Sequence, residues 1–330
     1  MSRAVAPKTL SNYGTGLLCF MRFCDDLNVP EELQMPAPEW LLSSFLTTRG
    51  AGAVSKGMMV SWLQGLELWH AINNARWNGG SHLKRALQGS LSAAPPSSTK
   101  PRRKAVTIPH LKSLRKHLTL TNTFDAAVFA TACVAFWGQC GLGEITVNGP
   151  FHPLKHASRS SQRKICSTAS GVKFGGFWAP VTKTAACGQE ILWTDSHCPC
   201  SAVWAFQNHL TINSSVPANA HLFAFKTESG SHAPMTRKWF LERCNKIWAL
   251  DHLDNLSGHS FRIGGTTHLL LLGINPFVVM MQGRWRSNAF LEYWRHCKEL
   301  LLTTIIGLSL NSRVSILSSM SAFKSKLLGR

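Results

Sequence analysis

SGHSFRIGGTTHLLLLGINPFVVMMQGRWRSNAFLEYW, residues 257–294, carries more chemical information than any other stretch of this chain. Ser257 is placed to cap a helix, and His259 and Arg262, three apart in its first turn, fall on one face. The apolar run from Leu269 to Leu272 continues that helix until Gly273 stops it. Asn275-Pro276 opens a second short helix ending at Gly283, and Asn288 caps a third that carries Tyr293. The close succession of helices gathers an imidazole, a guanidinium, the indole of Trp285 and a phenol.

Each feature has a plainer reading. An H-x-x-R pair is commonly a solvated helix start, and a tyrosine between Leu291 and Trp294 is commonly core. Their order and spacing set them apart. Arginine and histidine suit a phosphate, and tyrosine attacks a phosphodiester once its proton and the developing charge are accommodated. H-S-F-R-I-G-G-T-T, then G-R-W-x-S, then F-L-x-Y-W-R resembles the C-terminal box of tyrosine recombinases, of the kind carried by fungal Crypton and DIRS mobile elements. Of the two tyrosines in the chain, Tyr13 and Tyr293, the second stands at that family's nucleophile position.

The resemblance implies a mainly α fold with a small β-sheet or hairpin. A helical, SAM-like core-binding domain would precede a C-terminal catalytic domain, the two clamping duplex DNA. It implies DNA breaking and rejoining through a 3′-phosphotyrosyl intermediate, without metal or other cofactor. The partners would be double-stranded DNA and further copies of the chain, a synaptic tetramer on DNA. Tyr293 would attack. Arg262 would stabilise charge on the non-bridging oxygens, and His259 would assist with proton transfer or phosphate contact. Trp285 occupies a place where the family has His or Trp.

Composition agrees with such a partner. Lys and Arg number 35 against 16 Asp and Glu, giving a net charge of +19 and a pI near 9.9. That excess favours a polyanion, although a membrane surface or ribosomal RNA would select the same charge. No apolar run reaches the eighteen residues of a membrane span, and MSRAVAPKTLSNYG has no signal-peptide core. The ten cysteines are expected to stay reduced in an intracellular, nuclear protein. Their one compact cluster, His197-Cys198-Pro199-Cys200, lacks a second ligand pair, so buried thiols are expected rather than zinc.

Along the chain, residues 1–93 read as a helical domain. Apolar positions recur at three and four from Leu10 to Leu27, and further helices start at Pro38-Glu39, at Ser55 and near Leu83. Residues 94–106 form a Pro/Ser-rich basic linker carrying Lys100, Arg102, Arg103 and Lys104, suited to DNA phosphates and to nuclear import. Residues 107–300 form the second domain. Leu111, Leu114 and Leu118 mark one helix. Thr123 caps the next, whose run AAVFATACVAFW is too continuous for a surface helix. Strands are expected at 171–178 and 190–193, a helix at 200–210, and another capped by Thr236 with Trp239, Phe240, Cys244 and Ile247 inward. Residues 301–330 read as an apolar, then Ser/Lys-rich tail, suited to docking on a neighbouring protomer.

Glu144 sits in G-L-G-E, where the resemblance implies R-x-x-E, so Gly141 stands in place of the family's first catalytic arginine. Arg159 and Arg163 are the candidates for filling that gap. Lys183, between the two strands, matches the family's hairpin lysine that protonates the leaving oxygen, with Lys173 as the runner-up. Lys173, Arg284 and Arg286 are expected to contact DNA. Two functions remain open: an active mobile-element recombinase, or a recombinase-fold DNA-binding protein whose catalysis has decayed.

Overall fold

The three-and-four spacing near the N-terminus becomes a 20-residue helix, α1 (Pro7–Asp26), in the computed structural model, which describes residues 7–98, 101–182, 185–196 and 198–285. The chain divides into two units, residues 1–102 and 103–330.

In the first unit α1 is followed by α2 (Glu31–Gln34), α3 (Glu39–Phe45), α4 (Lys56–Ile72) and α5 (Ser81–Ser92). Ser55 caps α4 by accepting from the Met58 amide. A π-helical turn, Leu46–Gly50, prolongs α3. Phe20, Phe23, Phe45, Trp62 and Leu66 are buried together, with the Phe20 and Phe45 rings edge-on at 5.4 Å. That geometry is the favourable one for aromatic quadrupoles. The Glu39 carboxylate accepts from the amides of Gly80 and Leu83, at 2.9 and 2.8 Å. It thereby satisfies donors at the start of α5, which has no side-chain cap of its own. The Tyr13 hydroxyl donates to Gln64 Oε1 at 3.1 Å, tying α1 to α4.

The second unit is organised around α7 (Thr123–Trp137), in which every residue from Asp125 to Trp137 is buried. A helix apolar on all sides has no solvent face and belongs at the centre of a domain. Asn122, rather than Thr123, caps it, because the Asn122 side chain accepts from the amides of Phe124 and Asp125. Around it lie α6 (Ile108–His117), α8 (Leu142–Ile145), α9 (Ala202–Ile212), α10 (Arg237–Leu250), α11 (His259–Leu271) and α12 (Pro276–Gln282). Asp125 and Arg243 form a two-pronged pair at 2.8 Å for each contact, fastening α10 to α7. Trp239 on α10 departs from expectation: it is 43% exposed, while Phe240, Cys244, Ile247 and Trp248 face the core.

Strands β1 (Arg163–Ser167), β2 (Lys173–Ala179) and β3 (Gln189–Thr194) form an antiparallel sheet in that order, with Phe177 opposite Ile191 and Gly175 opposite Trp193. β1 lies largely exposed and shows no apolar alternation. A two-stranded ladder pairs β4 (Phe225–Lys226) with β5 (His232–Ala233). Among the described residues no helix is long and apolar enough to cross a membrane.

Two buried histidines give this unit a pH dependence. His209 Nδ1 accepts from Asn213 Nδ2 and its Nε2–H faces the Leu222 carbonyl, which defines a neutral ring. Burial pushes it down to about 4, with Arg159 adding to the effect. His221 is pushed down to about 3 by burial, then by His156 and His209. Folded pKa values below the unfolded value of about 6.5 mean that the unfolded chain binds more protons between these limits. The stabilising preference for neutral rings is complete above about pH 6.5 and is lost as pH falls toward 4 and 3. The melting temperature should therefore decline from pH 6.5 downward. In His221→Leu that decline should be shallower, as read by thermal denaturation across the range.

Candidate active site

α11 owes its position to two glycines. A Cβ on Gly264 would collide with the Val106 carbonyl oxygen, and one on Gly265 with that of Phe136. Only hydrogen fits, so the I-G-G-T-T run lets the helix backbone lie directly against the end of α7 and the segment entering the unit. The Val106 amide also donates to the Ser260 carbonyl at 2.9 Å. Gly258, not Ser257, is the N-cap residue, so His259 is the first residue of α11 and Arg262 follows one turn on.

The Arg262 guanidinium is centred 4.1 Å over the Trp285 ring, and its Nη2 donates to the Gly283 carbonyl. Its Nη1 lies 3.6 Å from Glu144 Oε1 on α8, the two side chains being only 16% and 11% exposed. Stacking and fork geometry suit arginine, not lysine. Glu144 Oε2 is held by a second guanidinium, that of Arg284, at 2.8 Å. Arg284 Nη1 donates to the carbonyls of Gly138 and Gln282, both at 3.0 Å, and its Nη2 donates to that of Gln139 at 3.3 Å. All four Nη hydrogens are thus committed. Arg284 occupies the left-handed region, with φ of 57°.

The turn between α7 and α8 is clamped from several sides. Buried Gln139, with φ of 48°, accepts from Thr266 Oγ1 at 2.8 Å. Gln282 Nε2 donates to the carbonyls of Trp137 and of Leu192 on β3, which brings the β2–β3 hairpin beside the cluster. Gly141 follows in an extended conformation, φ −72° and ψ 137°. Burial pushes the neighbouring Cys140 thiol up to about 12, so it supplies no thiolate at neutral pH.

The structure therefore brings together Glu144, Arg262, Trp285 and Gly141, and adds Arg284 to them. Arg284, expected on DNA, turns inward, and its side chain is 9% exposed. Arg159 and Arg163 lie elsewhere: Arg159 is buried with Nη2 on the Leu210 carbonyl, and Arg163 donates to the Arg159 carbonyl. Lys173, Arg102 and Arg103 are exposed. Lys104 is exposed and pairs with Asp254 at 2.6 Å. Tyr293, Lys183, Lys100 and Arg286 lie outside the described residues. Sequence reasoning missed the Arg284–Glu144 pair. Its one signal is a basic residue directly after a helix-ending glycine.

No protein-family model matches the chain, and no curated protein matches it in sequence. Solved structures do. The XerH site-specific recombinase bound to a palindromic difH substrate aligns at 14% identity with a TM-score of 0.55, covering 89% of this chain and 78% of that one. The Tn1549 transposon integrase in complex with transposon right-end DNA aligns at 13% identity with a TM-score of 0.51, covering 95% and 99%. The mainly helical fold with small sheets is that of these recombinases.

Proposed function

We propose that this protein is a site-specific DNA recombinase of a mobile element, of the Crypton or DIRS kind, acting in the nucleus as a DNA-bound oligomer. The observation that carries the reading is Arg262, stacked on Trp285 and facing Glu144, on the helix that opens with His259. In that reading Tyr293 Oη attacks a DNA phosphorus, forming the 3′-phosphotyrosyl bond as the bond to the 5′-oxygen breaks. The phenol proton passes to His259 or to water, and Lys183 protonates the departing 5′-oxygen. Arg262 stabilises the charge gathering on the non-bridging oxygens. A 5′-hydroxyl from another strand then reverses the step, so no external energy source is consumed. Lys173, Arg102 and Arg103 contribute phosphate contacts and a steep salt dependence.

One observation favours a second reading. Glycine at 141 offers no side-chain donor where the resemblance calls for an arginine, and this is what a DNA-binding protein with decayed catalysis would show. Nicked suicide duplexes separate the two. The recombinase reading expects a denaturation-resistant protein–DNA adduct that disappears in Tyr293→Phe. Duplex binding without any adduct in the native protein, joined by adduct formation in Gly141→Arg, would establish the decayed reading; failure of both with binding intact would count against the site assignment.

A further inference from the structure

We propose that Arg284 is a positioning residue that takes over, from the opposite side of Glu144, the holding role that a side chain at 141 would have. The inference rests on reading the Arg262–Glu144 cluster as the phosphate site. A Cβ built on Gly141 lies 3.5 Å from Glu144 Oε1 and 3.8 Å from Arg262 Nη1, so position 141 faces this ion pair and contributes nothing to it. Arg284 contacts the same carboxylate through Oε2 at 2.8 Å. It also gathers the carbonyls of Gly138 and Gln139, the residues leading into Gly141.

The distribution of contacts indicates what this achieves. A carboxylate only 11% exposed needs a close cationic partner. Were Arg262 the sole cation, the acid would draw it into a direct pair and away from a phosphate. Arg284 takes the shorter share of that demand, holding Oε2 at 2.8 Å, while Arg262 Nη1 pairs with Oε1 at the longer distance of 3.6 Å. With two guanidiniums and one carboxylate the cluster keeps a formal charge of +1. Arg284 itself does not reach substrate, because its four Nη hydrogens are taken by three carbonyls and Glu144. Its left-handed backbone, rare for a residue with a side chain, places the guanidinium there.

The test is a substitution cycle on the full chain. Arg284→Gln should lower the melting temperature without DNA by roughly 5–15 °C, because Glu144 Oε2 and the carbonyls of Gly138, Gln139 and Gln282 lose their shared donor. It should also slow adduct formation on nicked duplex at least about tenfold. Adding Gly141→Arg to Arg284→Gln should restore both, because the new guanidinium reaches the same acid. That rescue should vanish in a Glu144→Gln background, which a general repair of folding would not predict. If Arg284→Gln alone yields no folded protein, the double variant should still yield it. Native stability and rate in Arg284→Gln, or a loss that Gly141→Arg leaves unchanged, would overturn the assignment. The melting cycle is read without DNA, so absence of adduct in the native protein would sink the recombinase reading while Arg284 is still decided.

Discussion

Arg262→Ala is expected to slow covalent adduct formation by about 10³–10⁵-fold, the range for removing a guanidinium from a phosphoryl-transfer transition state. The lower end would already place the variant near the detection limit of a gel assay. The loss should be kinetic rather than structural. Glu144 keeps Arg284 at 2.8 Å when Arg262 is truncated, so no carboxylate is left buried alone. α11 stays anchored by Gly264 and Gly265 against the Val106 and Phe136 carbonyls. Duplex affinity should change by only a few-fold, since binding draws on a net charge of +19 spread over the chain. Arg262→Lys should recover little. An ammonium carries the charge but neither lies flat on Trp285 nor offers a fork of donors, and the native guanidinium does the first at 4.1 Å. Single-turnover measurements on a nicked duplex, beside melting and binding curves, separate these quantities. A parallel collapse of stability and binding would show that Arg262 serves the fold instead.

The legible parts of this molecule are those set by local pattern. The continuous apolar run of α7 predicted a central helix, and burial from Asp125 through Trp137 is the result. Gly273, Asn275-Pro276 and Gly283 marked the ends of α11 and α12 to within a residue, because each acts through its own backbone preference. Elements too short to repeat their period were not legible. α2 has four residues, β5 has two, and exposed β1 offers no alternation to read. Cap identity was legible at Thr236, whose hydroxyl accepts from the Trp239 amide, but not at Ser257 and Thr123, where Gly258 and Asn122 hold the cap positions. In the site, Glu144 and Arg262 were accessible through motif spacing. Arg284 was not, because its role depends on a left-handed φ and on partners at 138, 139 and 144, about 140 residues earlier. Only the packing of α12 against the end of α7 brings those groups together.

Gly141→Arg should raise the rate of adduct formation by about 10²–10³-fold, the usual worth of one preorganised donor at a developing oxyanion. The backbone permits it: φ −72° and ψ 137° are ordinary for any L-residue. The neighbourhood permits it as well, since the nearest atom to an added Cβ is Glu144 Oε1 at 3.5 Å, an ordinary van der Waals contact. The gain is compatible with Arg284 already holding Glu144. Arg284 steadies the acid but has no Nη hydrogen left for a phosphate, whereas a guanidinium from 141 arrives with its donors uncommitted beside Arg262. Because Arg284 satisfies Oε2, the newcomer is not drawn wholly into an ion pair. The same substitution in Tyr293→Phe should yield no adduct, which ties the gain to the phenol. An unchanged rate at unchanged melting temperature would mean that position 141 does not face the scissile phosphate. A native protein without adduct that gains one on Gly141→Arg would mark it as a DNA-binding descendant of an active recombinase, with one side chain separating the two states.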